Sequence, residues 1–235
     1  MKLYPVVHMQ SSEHALELSQ HAFDAGADGV FLIDHISPRV SDVLTSAYEH
    51  VRNSLGREAF IGLNYLGLTP HDAYTYLGVL QQHDVIDVLP NALWSDDATR
   101  GPNILTHRNY HGLDAVRFFG GVAFKYTGSF TDDPELAADV AARYRSCVDV
   151  MTTSGPGTAM AASVEKVQAM KAAIGTQELA LASGVSPDNV ADYAPYIDSI
   201  LAASSIETRS YSGVFVDSKL RELVAAVHEH DGGAR

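Results

Sequence analysis

The sequence alternates short apolar runs with segments of helical periodicity along its whole length. Eight apolar runs predict strands, at residues 3–9, 30–33, 60–66, 85–89, 115–126, 148–152, 179–182 and 199–205. Apolar strands without clean polar alternation are typical of a parallel sheet covered by helices. Eight strand–helix units in 235 residues give about 29 residues per unit, which is the period of a (βα)8 barrel.

Helical segments are predicted between the strands, at residues 12–25, 38–55, 133–145, 163–174 and 217–230, with further helix starts at Thr69 and Ser186. Residues 91–114 are rich in Asn, Asp, Arg and His and predict a long loop with one short helix at most. The C-terminus is expected to fray from residue 231. We therefore expect one α/β domain over residues 1–235, a single TIM barrel. A doubly wound sheet is the competing fold, but no Gly-x-Gly-x-x-Gly follows the first strand.

Charge and composition exclude several classes of partner. The formal net charge of −13 repels phosphodiester backbones, so we expect no nucleic-acid partner. The sequence has no apolar run of roughly eighteen residues and no signal-peptide apolar region, which predicts a cytoplasmic protein without membrane insertion. Cys147, the single cysteine, fits a core thiol better than a nucleophile, because no His lies near it in sequence. Sequence leaves homo-oligomer formation open.

In a barrel, chemistry collects where the strands end. Polar or small residues stand at these predicted positions around the whole ring: His8, Asp34, His35, Asn64, Asn91, Trp94, Asp96, Lys125, residues 153–157, Ser183, Gly184, Ser204 and Ser205. A purely structural barrel needs no such series. Their concentration therefore predicts a site at the carboxyl ends of the strands.

Lys125 is the most suggestive of these residues. Alternation along the fifth predicted strand places Gly121, Ala123 and Lys125 on one face, toward the barrel mouth. A desolvated lysine there would form a Schiff base, or would hold a carboxylate or phosphate as a fixed charge. A buried ion pair with Asp34 is the alternative interpretation.

Three further residues complete the predicted catalytic set. Asp34 and His35 are a candidate acid–base pair, of which we favour Asp34 as the functional group over a capping role. His8 is expected to donate from the pocket floor, although a satisfied core histidine explains it equally well. Asn64 follows the third strand. The predicted catalytic residues are thus Lys125, Asp34, His8 and Asn64.

The loops after strands 6, 7 and 8 predict an anion site. Small residues with free backbone N–H groups suit a phosphate, and the capped segment after Ser183 begins with Ser186 and Pro187. The predicted ligand-binding residues are Thr153, Ser154, Gly155, Ser183, Gly184, Val185, Ser204, Ser205, Asn91 and His35. The Thr-Thr-Ser-Gly-Pro-Gly-Thr turn at residues 152–158 is not a Walker loop, because no Lys follows its last glycine, and an ordinary turn is its alternative reading.

No metal or cofactor is predicted. His107 and His111 stand four residues apart beside Asp114, a spacing that suits metal binding on a helix. Because no third ligand is evident in the sequence, we interpret them as a solvated face.

Several of these stretches resemble the BtpA family, barrel proteins whose name is tied to photosystem I biogenesis. The resemblance lies in Val-His-Met at residues 7–9, Ala-Gly-Ala-Asp-Gly-Val at 25–30, Gly-Leu-Asn at 62–64, Phe-Lys-Tyr at 124–126, Ser-Gly-Val-Ser-Pro-Asp-Asn-Val at 183–190 and the helical segment 216–223. It covers nearly the whole chain, and residues 183–190 are its most specific part. It implies a ribulose-phosphate-barrel-like fold and a phosphorylated small ligand.

The chain also departs from that family's pattern. Residues 10–13 replace its Pro-Leu-Pro-Gly, and its Asp-x-His-x-Lys-His strand keeps only Lys125, with Gly121 and Ala123 in place of Asp and His. After strand 8, Gly-Thr-Ser-x-Lys becomes residues 203–207, ending in Glu207, which removes a positive charge from a phosphate site. Arg209 would restore that charge if its loop folds back.

Two hypotheses of function follow. The first is an enzyme acting on a phosphorylated sugar or nucleotide-like metabolite by lyase, isomerase or glycosyl-bond chemistry, with the phosphate between the loops after strands 7 and 8. The second is a non-catalytic binding or assembly protein of the BtpA type on a degenerate barrel. The expected partner is a small phosphorylated or polar metabolite in either case.

Overall fold

Eight parallel strands close into a barrel in the computed structural model, which describes residues 1–37, 41–101 and 103–230. The strands are β1 (Lys2–His8), β2 (Val30–Ile33), β3 (Ile61–Asn64), β4 (Ala92–Ser95), β5 (Arg117–Gly121), β6 (Val150–Thr153), β7 (Glu178–Ala182) and β8 (Ser199–Ala202). Each strand pairs with its neighbours in chain order, and β1 also pairs with β8 from Lys2 opposite Ser199 to Pro5 opposite Ala202. The predicted TIM barrel is confirmed, and the doubly wound alternative is excluded.

Helices follow the strands and cover the outside of the barrel. They are α1 (Ser12–Asp24), α2 (Ser41–Leu55), α3 (Pro70–Gln82), α4 (Ile104–Tyr110), α5 (Pro134–Tyr144), α6 (Val164–Ile174), α7 (Val190–Tyr193) and α8 (Asp217–Glu229). Side chains that accept a first-turn N–H begin four of them, from Ser11, Thr69, Asp133 and Ser163. Because these caps are encoded locally, most helix starts agree with the sequence predictions to within a few residues.

Two separate apolar layers stabilise the barrel. The larger lies between the strands and the helices, and the smaller fills the barrel interior. Tyr4, Phe31 and Phe119 come from β1, β2 and β5, and their rings meet edge to face at 5.0–6.1 Å between centroids. Residues on strands this far apart in the ring meet only inside it. The interior is therefore a packed core whose upper surface is the floor of the mouth.

The fourth strand lies elsewhere than the sequence predicts. The apolar run at 85–89 is not a strand, and β4 begins at Ala92 inside the predicted long loop. That loop region also contains α4, while Pro102 lies outside the described residues. Val85 is exposed and Leu89 is half-buried, so the run packs at the barrel's amino-terminal rim.

Two other elements are shorter than predicted. β5 ends at Gly121 instead of reaching residue 126, and Ala123 and Tyr126 both have positive φ, 48° and 61°. After β7, residues 187–189 form a turn, and α7 spans only Val190–Tyr193, so Ser186 does not cap a long helix. The predicted helix start at 38–40 and the fraying at 231–235 concern residues outside those described. In the described chain, no helix combines the length and apolarity that crossing a bilayer requires.

Candidate active site

A cavity of about 180 Å³ opens at the carboxyl ends of the strands. Its floor is apolar, formed by residues such as Val6, Ile33, Phe124 and Leu201. Its polar lining comes from the end of β1 and from the loops that follow the strands: His8, His35, Asp96, Lys125, Thr158, Ser183, Ser204 and Tyr211. Trp94 also lines the cavity, so the structure brings together seven of the residues that sequence placed at strand ends, and Thr158 and Tyr211 join them from the loops.

Lys125 enters the cavity from the loop after β5 and is half-buried. Its backbone N–H donates to Ser154 Oγ at 2.9 Å, which fixes the start of the side chain, and its Nζ donates to Ser183 Oγ at 3.0 Å. Ser183 Oγ also accepts the N–H of Ala159 at 3.1 Å. Lys125 forms no ion pair with Asp34 or with any other described carboxylate.

Asp96 is the carboxylate that shares the cavity with Lys125. It follows β4, and Asn64 Nδ2 at the end of β3 donates to its Oδ1 at 3.2 Å. Withdrawal from water raises the pKa of Asp96, although the charge of Lys125 and the Asn64 hydrogen bond oppose this. Burial likewise lowers the pKa of Lys125, against the charge of Asp96. The site therefore brings both groups closer to their neutral forms, as acid–base chemistry near neutral pH requires.

His8 reaches the cavity with one ring nitrogen already engaged. Its Nδ1 lies 2.8 Å from Oε1 of Glu207, a residue with no exposed surface. The same oxygen accepts the N–H of Gly213 at 3.1 Å, and His14 Nε2 donates to the carbonyl of Gly213 at 2.8 Å. Because Nδ1–H donates to the carboxylate, Nε2 is the nitrogen left for proton exchange.

The loop after β8 folds over the mouth and carries Tyr211 at its tip. The Tyr211 ring packs against His8 and His35, with centroids 5.1 and 4.9 Å away. Its hydroxyl bonds Thr158 Oγ1 at 2.6 Å, and Tyr126 OH accepts the Thr158 N–H at 3.1 Å. Three loops thereby meet above the cavity through one threonine.

His35 sits beneath this arch at the rim. Although part of the residue remains exposed, withdrawal of its ring from water lowers the pKa of His35 to about 4, and the charge of His8 acts in the same direction. His35 is consequently neutral at physiological pH and offers the cavity one donor and one acceptor.

Asp34, the preferred catalytic carboxylate, does not line the cavity. It is buried, and its Oδ1 accepts the N–H groups of Ile36 and Ser37 at 2.8 and 3.0 Å. It therefore caps the turn after β2, which is the alternative role that the sequence left open for Asp34. Adjacent residues at a strand end face opposite ways, and His35 is the one directed at the mouth. Asn64 contacts Asp96 and lines a neighbouring cavity, so it orients a cavity residue.

Several predicted ligand-binding residues do not line the cavity but pack beneath the loops that form it. Thr153 and Ser154 are fully buried, and a Cβ added to Gly155 would lie 2.4 Å from the carbonyl oxygen of Met160. A Cβ on Gly184, whose φ is +75°, would lie 2.4 Å from Cα of Ala161. The chain's own segment 159–161 thus fills the space beside Gly184. Val185 is buried, and Ser205 is half-buried and outside the cavity lining.

Asn91 lies at the opposite end of the barrel, because the fourth strand starts after it. Its Oδ1 accepts from Arg52 Nη2 at 2.7 Å and from the N–H of Ile61 at 2.9 Å. Arg52 is 2% exposed and also donates to three backbone carbonyls. Asn91 is therefore part of a structural network at the amino-terminal rim, and the structure places this predicted ligand-binding residue away from the cavity.

The remaining candidates lie outside the cavity. His107 donates to or accepts from Thr75 Oγ1 at 2.9 Å, and its ring packs between His71 and His111. No group of three or more His, Cys, Asp or Glu in the described residues has the arrangement of a metal site. Arg209 is exposed and does not line the cavity. Cys147 is half-buried and packs against the core from a short 3₁₀ turn before β6.

Tyr211 escaped sequence reasoning, Asp96 was named at a strand end but not chosen as catalytic, and Glu207 received the wrong role. Tyr211 carries no signal at the sequence level, since its loop returns over the mouth only through tertiary contacts. Asp96 stands at a strand end, but the misplaced fourth strand hid its importance. Glu207 was expected to weaken an anion site, whereas it points away from the cavity and holds His8.

Comparisons with known proteins bear on the fold. No protein-family model matches the chain, and no curated protein matches its sequence. Solved structures do match. Phosphoribosyl anthranilate isomerase from Thermus thermophilus is 15% identical, with 97% of this chain and 99% of that one covered and a TM-score of 0.65. Orotidine 5′-phosphate decarboxylase from Pyrococcus horikoshii is 9% identical, with 96% and 99% covered and a TM-score of 0.68.

A third similar structure is the tryptophan synthase α chain from Legionella pneumophila, at 13% identity, coverage of 100% and 93%, and a TM-score of 0.60. The identities are too low to carry function, and what they show is the fold. The chain folds as a single (βα)8 barrel, as these proteins do.

Proposed function

We propose that the protein is an enzyme acting on a small phosphorylated metabolite, a sugar or nucleotide-like phosphate, by proton transfer in a lyase, isomerase or glycosyl-bond reaction. The observation that carries this proposal is the ammonium group of Lys125. It is half-buried in the cavity, and Ser183 Oγ is its one hydrogen-bond partner among the described residues. A desolvated cation with a single neutral partner favours an anionic ligand.

The place of the anion follows from the surroundings of Lys125. Ser183 and Ser204 line the same side of the cavity, at the ends of β7 and β8. Hydroxyl groups and an ammonium are suitable partners for phosphate oxygens. Two of the similar structures are named for substrates that carry a phosphate, and they share this barrel. We place the phosphate at this corner, with Lys125 as its counter-ion.

Proton transfer is assigned to two groups across the cavity. Asp96, whose pKa is raised by burial, is the acid, and His8, oriented by Glu207, is the base. In such a reaction the acid protonates a leaving or carbonyl oxygen while Nε2 of His8 takes a proton from the substrate. Tyr211 and its arch exclude water from above.

Removing the Lys125 charge tests the proposal. Lys125→Met keeps the side-chain volume and should weaken binding of ribose 5-phosphate and of nucleoside monophosphates at least about tenfold, because a charge-assisted hydrogen bond is lost. Binding is measured by thermal shift and calorimetry. Lys2→Met is the matched control, since Lys2 is exposed at the amino-terminal end of β1. Equal affinities in the two variants, or no binding to the native protein, would reject the anion site.

One structural observation favours a non-catalytic binding or assembly protein, the alternative that a divergent BtpA-type barrel would represent. Gly121 stands where the BtpA pattern has Asp, and a Cβ there would lie 1.9 Å from the carbonyl oxygen of Asp96. This barrel therefore has no room for that family's fifth-strand carboxylate. Phosphorus and proton NMR of the ligand-saturated protein discriminates the two functions: new signals with time support the enzyme, and binding without turnover supports the alternative.

A further inference from the structure

A second cavity lies beside the first, between the loops that follow β3, β4 and β5. It measures about 270 Å³ and shares Leu66, Asp96 and Tyr126 with the first cavity. A ligand bound to Lys125 in the first cavity can therefore extend past Asp96 into the second cavity. This continuity makes the second cavity part of the same binding region.

The two cavities differ in chemistry. The first is mostly apolar around Lys125, whereas the second is lined by amide, hydroxyl and carboxylate groups. Asn64 is 3% exposed and lines the second cavity, and its amide makes one hydrogen bond, from Nδ2 to Asp96. Its Oδ1 has no partner among the described residues. A buried amide with an unused acceptor calls for a ligand group that donates.

Ser95 adds a second unused group at the end of β4. Its side chain lines the second cavity and makes no hydrogen bond within the described chain. A hydroxyl both donates and accepts, so Ser95 and Asn64 together match ligand hydroxyls. Both residues line the second cavity, Asn64 from the end of β3 and Ser95 from the end of β4.

The charge of the second cavity disfavours a second anion. Asp96 and Asp97 line it with a single cation, Arg100, so the formal balance is negative. Asp97 Oδ1 is already used by Thr99, whose N–H and hydroxyl donate to it at 3.1 and 2.5 Å. A neutral, hydroxyl-rich group meets this wall without repulsion.

We propose that the second cavity is a subsite for the hydroxyl-bearing part of the substrate. This inference rests on the proposed function and narrows its substrate class. The substrate carries one anionic group, held at Lys125, and a hydroxylated sugar portion that crosses Asp96 and bonds Asn64 and Ser95. Asp96 then lies against the middle of the substrate, where the proposed proton transfer takes place.

Filling the second cavity tests the subsite. Ser95→Leu places an apolar side chain in it and should weaken ribose 5-phosphate binding about tenfold or more, because several hydroxyl bonds are lost, while inorganic phosphate binding stays within about twofold. Ser95→Ala, which keeps the space, should have a smaller effect. Ser218→Leu on the exposed first turn of α8 is the matched control and should bind both ligands as the native protein does. Calorimetry measures the affinities, and circular dichroism verifies folding. If Ser95→Leu does not fold, Ser95→Val replaces it.

Four outcomes decide between the subsite, the proposed function and neither. Selective loss of ribose 5-phosphate binding in Ser95→Leu supports the subsite. Unchanged affinity for both ligands, or an equal loss for both, overturns it. If Lys125→Met weakens both ligands while Ser95→Leu weakens neither, the proposed function stands and only the subsite is rejected. Failure of the native protein to bind either ligand rejects the proposed function itself.

Discussion

At the level of single residues, Glu207 shows how one side chain changes role with its direction. In sequence it stands where the BtpA pattern has a lysine, and there a carboxylate would repel a phosphate. In the structure its Oε1 is held by His8 and by the N–H of Gly213, away from the cavity. The carboxylate therefore orients an imidazole and leaves Lys125 as the cavity's cation.

The role of Glu207 predicts the protonation pattern of His8. In the native protein at neutral pH, ¹⁵N NMR should show His8 mainly with its proton on Nδ1, because the carboxylate accepts there. Glu207→Gln should shift His8 toward a mixture of tautomers, since an amide both donates and accepts. The matched control is Asp217→Asn. In the native protein the Asp217 carboxylate lies 2.9 Å from Nε2 of His21. It should alter the His21 signals and leave His8 unchanged. A His8 spectrum insensitive to Glu207→Gln would contradict the orienting role.

Lys125 lies at the mouth as predicted, but it is carried by a loop and not by the predicted strand. Strand alternation predicted its direction, but β5 ends four residues earlier and the loop turns through positive φ at Ala123. Its position depends on Ser154 and Ser183, which belong to the loops after β6 and β7. Contacts between neighbouring loops, not a strand's period, direct this side chain.

At the level of elements, α6 fixes two of the loops that form the site. Lys166 in its first turn is fully buried, and its Nζ donates to the carbonyls of Ala123 at 2.9 Å and Ser154 at 2.8 Å. Burial lowers the pKa of Lys166 to about 8, although Asp132 at 3.6 Å opposes this. One ammonium thus ties the loop after β5 to the loop after β6, beneath Lys125.

Loss of these two Lys166 hydrogen bonds should lower the stability of the protein and also weaken ligand binding at the site. Lys166→Met should lower the free energy of unfolding by about 2–4 kcal/mol, because two buried carbonyls lose their donor. It should also weaken phosphate-ligand binding, since Lys125 loses its support. Lys171→Met, in the same helix but at the other end of the barrel, is the matched control and should affect stability less, because Lys171 is more exposed. Denaturant unfolding and calorimetry measure both effects. Native-like stability in Lys166→Met would show that the two loops hold their positions without the Lys166 hydrogen bonds.

At the level of the whole molecule, barrel closure converts distant sequence positions into neighbours. His8 lies about 200 residues from Glu207 and Gly213 in the chain, yet the three form one hydrogen-bonded group because β1 pairs with β8. His35 joins them from the loop after β2, and the Tyr211 ring packs against both histidines. The site is therefore present only in the closed barrel.

The lowered pKa of His35 in the closed barrel predicts how the free energy of unfolding depends on pH. The folded pKa of His35 is about 4, below the ordinary value of 6.5, so between these values the unfolded chain binds a proton that the folded chain does not. The free energy of unfolding should consequently fall as the pH drops from 6.5 to 4. His35→Asn should remove that part of the fall, and His83→Asn, at an exposed position after α3, should retain it. Thermal unfolding across this pH range measures the change in stability for the native protein and both variants. Parallel curves for the native protein and His35→Asn would refute the assignment.

The sequence by itself determined the fold class and most of the helix starts. Apolar runs at a constant spacing and side-chain caps are local signals, and local signals suffice for elements such as α3 after Thr69 and α6 after Ser163. They failed at β4, where a polar, Asn- and Asp-rich stretch contains the strand. There, pairing with β3 and β5 outweighs the composition of the segment.

Only the tertiary structure decided which strand-end residues form the site. Sequence placed Asp34, Asn91 and Gly184 in it, but the structure uses them for a turn, a rim network and loop packing. It brought in Tyr211 and turned Glu207 toward His8. The physical reason is that a side chain's direction at a strand end depends on hydrogen bonds to loops distant in sequence. Local periodicity carries no information about those bonds.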